Sequence, residues 1–126
     1  MQGTKPVLVF PPSLSASLTT RLAALYTCTP AISLEACITL AVEMAPKLII
    51  VRESAPGSDL AVLCKALQAN ELTADIPVIA LAHTDDAASR LHAFDVGCDD
   101  YLLESVSNEE LSARISRAIY NKIAND

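Results

Sequence analysis

Short, mostly apolar segments alternate with helical patterns five times along this chain of 126 residues. A wholly apolar run, such as VLVF or LIIV, is typical of a strand that is buried on both faces of a parallel sheet. The predicted strands are residues 7–10, 26–30, 48–51, 76–82 and 101–103. Five strand–helix units in succession predict an α/β fold, in which helices cover both faces of a parallel sheet through right-handed crossovers.

The segments between the predicted strands place apolar residues at helical spacing. The predicted inward stripes are Leu14, Leu18, Leu22 and Leu25 in the first helix, Leu60, Leu63, Cys64 and Leu67 in the third, Ala88, Leu91 and Phe94 in the fourth, and Leu111, Ile115 and Ile119 in the fifth. Ser13, Asp59 and Asn108 are predicted N-caps, whereas Pro46 and Gly97 end the helices that precede them.

The charge balance and hydropathy exclude several classes of protein. The net charge is −6, the pI is near 4.7 and the basic residues are scattered, whereas a nucleic-acid surface needs clustered Lys and Arg. No apolar run approaches the roughly 18 residues needed to cross a bilayer, and the N-terminus has no apolar signal core. We therefore expect one cytoplasmic domain with neither a nucleic-acid nor a membrane partner.

The cysteines indicate structural thiols. Cys28, Cys37, Cys64 and Cys98 lie far apart and form no CxxC motif. A zinc site needs close pairs of ligands, and the two histidines are too isolated to supply them. Cys37 and Cys64 fall within amphipathic helical patterns, where a free cysteine behaves as a small hydrophobe. We expect reduced thiols, no metal site and no cofactor.

The carboxyl ends of the strands are where such a fold binds its ligands, near the point where the strand order reverses. In this chain the residues at those ends are Pro11 and Pro12, Arg52, Ala82 with His83, and Glu104.

Two long segments resemble the receiver domains of bacterial two-component response regulators. IPVIALAHTDDAASRLHAFDVGCDDYLLESVSNEELSARI is similar to that family's succession of IPVI, AF-x-x-GADDYL and EL-x-ARI, and PKLIIVRESAPGSD is similar to its PDLIILD-x-x-MPG-x-D. The resemblance covers residues 1–126 and implies a CheY-like, flavodoxin-like (βα)5 three-layer sandwich with strand order 2-1-3-4-5. We expect a receiver-like domain cut from a longer signalling protein.

The same resemblance implies a phosphorylation site that this chain lacks. In the family, an aspartate at the end of the third strand accepts a phosphoryl group beside Mg²⁺, a cation that needs hard oxygen ligands. The corresponding positions here are Arg52 for that aspartate, Pro11 and Pro12 for the acidic pair that binds the metal, Ala82 for the hydroxyl residue and Glu104 for the phosphate-binding lysine. Because an arginine cannot form an acyl phosphate, we predict a degenerate site with no phosphotransfer, no metal and no enzymatic activity.

The two charged positions of the family's pocket carry exchanged charges in this chain. Arg52 and Glu104 have the chemistry for a salt bridge across the gap between two strand ends. One hypothesis is that a permanent ion pair fills the pocket. The alternative, which the sequence leaves open, is that both side chains extend into water.

A receiver fold without its phosphorylation site is usually a pseudo-receiver, which implies a protein-interaction or dimerisation module in signal transduction. The candidate interaction face comprises Tyr101, Arg114, Arg117 and Lys122. The expected partner is a protein, either a second copy of the chain in a homodimer or an output domain.

Two other functions stay open at this point. A sensor of small anions would use Arg52 and His83 in the strand-end crevice, although the FPPS segment after the first strand is no glycine-rich phosphate loop. A receiver with a displaced phosphoacceptor would use Glu53 or Asp59 in place of the missing aspartate.

Overall fold

The computed structural model of the chain describes residues 7–10, 20, 22–24, 26–52 and 58–124. Five parallel strands form one sheet: β1 (Val7–Phe10), β2 (Cys28–Pro30), β3 (Leu48–Arg52), β4 (Val78–Ala82) and β5 (Asp100–Leu103). Their order in the sheet is β2-β1-β3-β4-β5. The order reverses at β1, which lies between β2 and β3, so the crevice of this fold opens at the carboxyl ends of β1 and β3. The predicted fold class and strand order are confirmed.

The described helices are α1 (Leu34–Met44), α2 (Ser58–Gln68), α3 (Ala87–Val96) and α4 (Asn108–Ala124). They correspond to the second, third, fourth and fifth predicted helices, respectively. The helix predicted at residues 13–25 lies outside the described residues, except at 20 and 22–24, which are helical. Leu22, one of these, is buried as predicted. Among the described helices, none combines the length and the apolar character needed to span a membrane.

The sheet buries side chains on both of its faces. Successive residues of a strand point to opposite faces, so Ile49 and Val51 pack in a cluster with residues of α1, α2 and α3, while Leu48 and Ile50 pack in a second cluster with α4. The stripe predicted for α2 is buried in the first cluster, and Leu111 and Ile115 of α4 are buried in the second. Burial on both faces explains why the strands read as unbroken apolar runs.

The inner face predicted for α3 is wrong. Leu91 is 71% exposed and Phe94 is 46% exposed, and Ala88 is exposed as well. The helix instead packs through Ala93, which is fully buried, with Val96 partly buried behind it. A short helix with apolar residues on two sides has no periodicity that tells which side packs, and the small alanine is the side that lets the helix approach the sheet.

Helix ends follow the sequence signals in part. Gly97 ends α3 in the left-handed conformation, with φ of 114°, as predicted. The predicted cap at Asn108 is wrong, because the Ser107 Oγ accepts the hydrogen bond from the Glu110 amide at 3.1 Å. The predicted cap at Asp59 is also displaced, since α2 already begins at Ser58.

Candidate functional site

Three neighbouring strands bring their carboxyl ends together at one edge of the sheet. β3 ends at Arg52, β4 ends at Ala82, and Glu104 follows β5 directly. Because β4 lies between β3 and β5, the end of β4 separates the two charged residues. The Glu104 amide donates to the Ala82 carbonyl at 2.9 Å, which fixes the backbone of Glu104 beside β4.

The two charged side chains meet across the end of β4. Arg52 Nε lies 3.0 Å from Glu104 Oε2, and the side chains are 31% and 9% exposed, respectively. Neighbouring strands are about 4.8 Å apart, so a contact between β3 and β5 spans roughly 10 Å and needs a side chain as long as arginine. Ala82, the last residue of the strand between them, is buried.

The contact is an ion pair whose acceptor atom is shielded from water. The Glu104 Oε2 atom is buried and lies 3.0 Å from Arg52 Nε. Opposite charges attract each other more strongly where water is excluded than at an open surface. A carboxylate with so little access to water depends on the neighbouring guanidinium for its charge to be tolerated.

The other residues predicted for this site are placed as follows. Pro11, Pro12 and Glu53 lie outside the described residues, as does the side chain of Asp59. His83 is exposed. Across the described ranges, no three His, Cys, Asp or Glu side chains are grouped as a metal site would need. The described strand ends thus present a guanidinium, a methyl group and the carboxylate paired with that guanidinium.

A second candidate site is the β5 face, which we define as the surface formed by α3, the edge strand β5 and α4. Tyr101, predicted to lie on an interaction face, is buried to 6% exposure in the core. The Arg90 guanidinium of α3 lies 5.7 Å from the centre of its ring. Tyr101 therefore offers no side-chain surface to a partner, because the tyrosine ring is part of the first core cluster and Arg90 lies over it.

Of the basic residues predicted for that face, two are paired with carboxylates of the chain and one is exposed. Arg114 makes a two-pronged contact with Asp100, with Nε to Oδ2 at 2.7 Å and Nη2 to Oδ1 at 2.9 Å. Lys122 Nζ lies 3.3 Å from Asp99 Oδ1. Arg117 is exposed. Two of the three cations therefore bind α4 to the start of β5 and to the residue before it.

The Asp100 carboxyl is held in its ionised form. Burial opposes its ionisation, but the hydrogen bonds from Arg114 and from the Tyr101 amide, together with the charges of Arg114 and Arg117, outweigh burial and lower the pKa of Asp100. The same contact with Asp100 raises the pKa of Arg114. Arg117 lies three residues after Arg114 on α4, so the two cations are one helical turn apart.

The sequence reasoning missed the exposed apolar residues of the β5 face. Leu91 and Phe94, one turn apart on α3, are large and exposed. The signal in the sequence that could have found them is the helical spacing of Leu91 and Phe94. That spacing predicts one face of α3, but the face is the exposed side of the helix and not the buried side.

Removing Arg52 should destabilise the fold through Glu104. We expect Arg52→Ala to lower the free energy of unfolding by about 2 kcal/mol, less than for a fully buried pair because Arg52 is partly exposed. The double variant with Glu104→Ala should recover part of that loss, because no carboxylate is then left without its cation. Urea unfolding measures the free energy of unfolding of the wild-type chain, the single variant and the double variant. The matched control is Asp85→Ala, which breaks an exposed pair with Arg90, and an Arg52→Ala loss no larger than the control would contradict the argument.

Acid should weaken the contact between Asp100 and Arg114. Since the pKa of Asp100 is lower in the folded chain than in the unfolded chain, its stabilisation is complete above the unfolded pKa of about 4 and is lost as pH falls through the folded value. We expect Asp100→Asn to cost about 1 kcal/mol at pH 7, and the difference from wild type to shrink below about pH 4. Chemical unfolding at several pH values measures it. Glu110→Gln, which removes the exposed contact of Arg114, is the control, and a difference that persists unchanged to pH 2 would argue against this role.

Comparison with known proteins finds response regulators. The chain is 38% identical over 76 residues to the DNA-binding dual master transcriptional regulator RpaA of Synechocystis, covering 60% of this chain and 32% of RpaA. It is 31% identical over 94 residues to the phosphate regulon transcriptional regulatory protein PhoB of Pseudomonas aeruginosa, covering 75% of this chain and 41% of PhoB. The chain thus spans less than half the length of these relatives. No family model matches the sequence.

Solved structures with the same fold include response regulators and receiver domains. A response regulator from Desulfuromonas acetoxidans is 28% identical and superimposes with a TM-score of 0.74 over 90% of this chain and 95% of that chain. The receiver domain of the sensor histidine kinase PA1611 from Pseudomonas aeruginosa, at 21% identity, has a TM-score of 0.78 over 93% of this chain and 98% of that chain. The strand order, the position of the crevice and the sequence similarity together identify the chain as a response-regulator receiver domain of the CheY-like type.

Proposed function

We propose that this chain is a pseudo-receiver, a receiver domain that does not accept a phosphoryl group and acts as a protein-interaction module in signal transduction. The observation that carries the proposal is the ion pair between Arg52 and Glu104. It occupies the strand ends at which the receiver family holds its phosphoacceptor and its phosphate-binding lysine.

The electrostatics of the strand ends oppose metal-assisted phosphotransfer. An arginine side chain remains charged at any physiological pH, so a divalent cation at the end of β3 would meet a fixed positive charge. Mg²⁺ needs carboxylate and other hard oxygen ligands, and the nearby Glu104 carboxylate is already neutralised by Arg52. The receiver domain of PA1611, by contrast, has a magnesium ion coordinated in its active-site cleft.

The sensor of small anions is the less favoured alternative. An anion that bound to Arg52 would have to displace Glu104, which lies 3.0 Å away and is mostly buried. The displaced carboxylate would then either stay beside the anion as a like charge or lose its cation. His83 is exposed and adds only a solvated side chain to such a site. A displaced acceptor at Glu53 or Asp59 is the other alternative, and both side chains lie outside the described residues.

The β5 face supplies the surface through which a module of this kind would act. Leu91 and Phe94 form an apolar ridge on the outer side of α3, which we call the α3 ridge. Large apolar side chains that lie together at the surface are typical of interaction sites and contribute most when a partner removes them from water. On the same face, Arg114 and Asp100 are paired with each other within the chain.

The occupant that best fits the β5 face is a second copy of the same chain. Asp95 is exposed next to the ridge on α3, and Arg117 is exposed on α4. A two-fold axis pairs one surface with itself, so a face that carries an apolar centre with both signs of charge is complementary to its own copy. The receiver would therefore act as a homodimerisation element.

Phosphorylation should fail on this chain. We expect no amide shifts at Arg52, Ala82 or Glu104 when Mg²⁺ and beryllium fluoride are titrated into the labelled protein, because β3 ends at Arg52, whose guanidinium repels a divalent cation and offers it no oxygen ligand. Incubation with a small phosphodonor should likewise leave the intact mass unchanged. Saturable shifts at these amides, or a phosphoryl adduct on Glu53 or Asp59, would show that the site has been rebuilt.

Self-association should depend on the α3 ridge. We expect the wild-type chain to form a reversible dimer, and Leu91→Asp to raise the dissociation constant at least tenfold, or about 1.4 kcal/mol. Sedimentation equilibrium measures both. The control is Leu72→Asp, because Leu72 is 66% exposed and lies between α2 and β4, outside the β5 face. A wild-type chain that stays monomeric at high concentration, or a control that weakens association equally, would contradict the homodimer.

A further inference from the structure

Two cysteines far apart in the sequence contact each other in the core. Cys64 of α2 and Cys98, in the turn between α3 and β5, have their Sγ atoms 3.8 Å apart. Their residues are 1% and 6% exposed. Both are reduced thiols outside any disulfide, as are Cys28 and Cys37.

One thiol of the pair lies on a helix and the other lies in a turn. The preceding residue, Gly97, has a left-handed backbone with φ of 114° and lies against the Gln68 side chain of α2. The Cys98 amide donates to the Ala93 carbonyl at 3.0 Å, which closes the end of α3. Cys64 is thus fixed within α2, whereas Cys98 sits where the chain changes direction.

The two buried thiols of α1 and α2 differ in their readiness to ionise. The hydrogen bond with Cys98 lowers the pKa of the Cys64 thiol, against the effects of burial and of Asp99, and the charge of Lys122 acts in the same direction as the hydrogen bond. Burial without such a partner raises the pKa of Cys37 to about 12. Since the thiolate is the reacting form of cysteine, Cys64 is the more nucleophilic of these two.

We propose that Cys64 and Cys98 form a reversible intramolecular disulfide when the chain meets hydrogen peroxide, and that this bond is a redox switch on the segment leading into β5. A disulfide has its sulfur atoms about 2.05 Å apart, so the present contact must shorten by roughly 1.8 Å. The shortening would come from rotation of the two side chains and a shift of the turn at Gly97, which is not part of a helix or strand.

The reaction balances with peroxide as the oxidant. The Cys64 thiolate attacks one peroxide oxygen and the O–O bond breaks, which leaves Cys64 as a sulfenic acid. The departing hydroxide takes up the proton that Cys64 had released and becomes water. The Cys98 sulfur then attacks the Cys64 sulfur, the S–O bond breaks, and the hydroxide leaves with the Cys98 proton as water. Two thiols lose two electrons in total, and one peroxide becomes two waters. A thiol reductant reverses the bond by exchange.

The crosslink acts on the residues that tie β5 to its neighbours. Asp99 follows Cys98 directly and makes two hydrogen bonds with Val78, both 2.8 Å long. The Val78 amide donates to Asp99 Oδ2, and the Asp99 amide donates to the Val78 carbonyl. Asp100, the next residue, holds Arg114. A shift of the turn therefore reaches the β5 face, and the effect on self-association rests on the function proposed above.

The bond itself is tested by intact mass, without reference to any partner. After brief peroxide treatment, unfolding and alkylation, we expect the wild-type chain to lose two of its four alkylation sites, to weigh about 2 Da less before alkylation, and to recover with a reductant. Cys37→Ser should show the same loss of two sites. Cys98→Ser should not, and should carry instead a sulfenic acid on Cys64 that a dimedone probe traps. Peptide mapping of the wild-type chain locates the bond independently of any variant.

Several results would overturn the proposal. The first is an oxidised wild-type chain that keeps all four alkylation sites. The others are a disulfide that maps to Cys28 or Cys37, and a disulfide that links two chains. The switch is tested separately by amide spectra, where oxidation should shift Asp99 and Asp100 while α1 stays unchanged. Oxidised protein that shows no shift at these two residues would refute the switch, whatever the chain's oligomeric state. Failure of self-association alone would instead count against the proposed homodimer.

Discussion

Burial of the sheet on both faces decides where this protein can hold polar groups. All five residues of β4 are buried, as are the first four of β3. A charged side chain within either strand would lose its water and find no partner, at a cost of several kcal/mol. Charge is therefore confined to the strand ends, and Arg52 is the first residue of β3 that reaches solvent. The position of the candidate site follows from the packing of the sheet.

The exchange of charges at this site joins two strands that are not neighbours in the sheet. Arg52 ends β3, Glu104 follows β5, and their side chains meet across the end of β4. Bridging two strand spacings needs a side chain as long as arginine. The residue types at these two strand ends are therefore consistent with each other, because arginine supplies the reach and the Glu104 carboxylate supplies the opposite charge.

The sequence predicted what is decided locally and failed where packing chooses between equivalent options. Runs such as LIIV identify buried strands because each residue of a parallel strand must be apolar, and the resemblance added their order in the sheet. The side of α3 that packs could not be predicted, because Ala93 and the pair of Leu91 and Phe94 both look apolar. The contact between Cys64 and Cys98 was also missed, since these residues are 34 positions apart and meet only when α2 lies against the turn before β5.

The α3 ridge lies on the helix that ends beside the thiol pair. α3 is capped at its start by Asp86 and ends at Gly97, next to Cys98. Ala93 is the fully buried residue of this helix, whereas α2 buries a stripe of four residues. The disulfide proposed above would therefore form between the deeply packed helix α2 and the turn that ends α3. The residues that would meet a partner lie on α3, the helix that this turn ends.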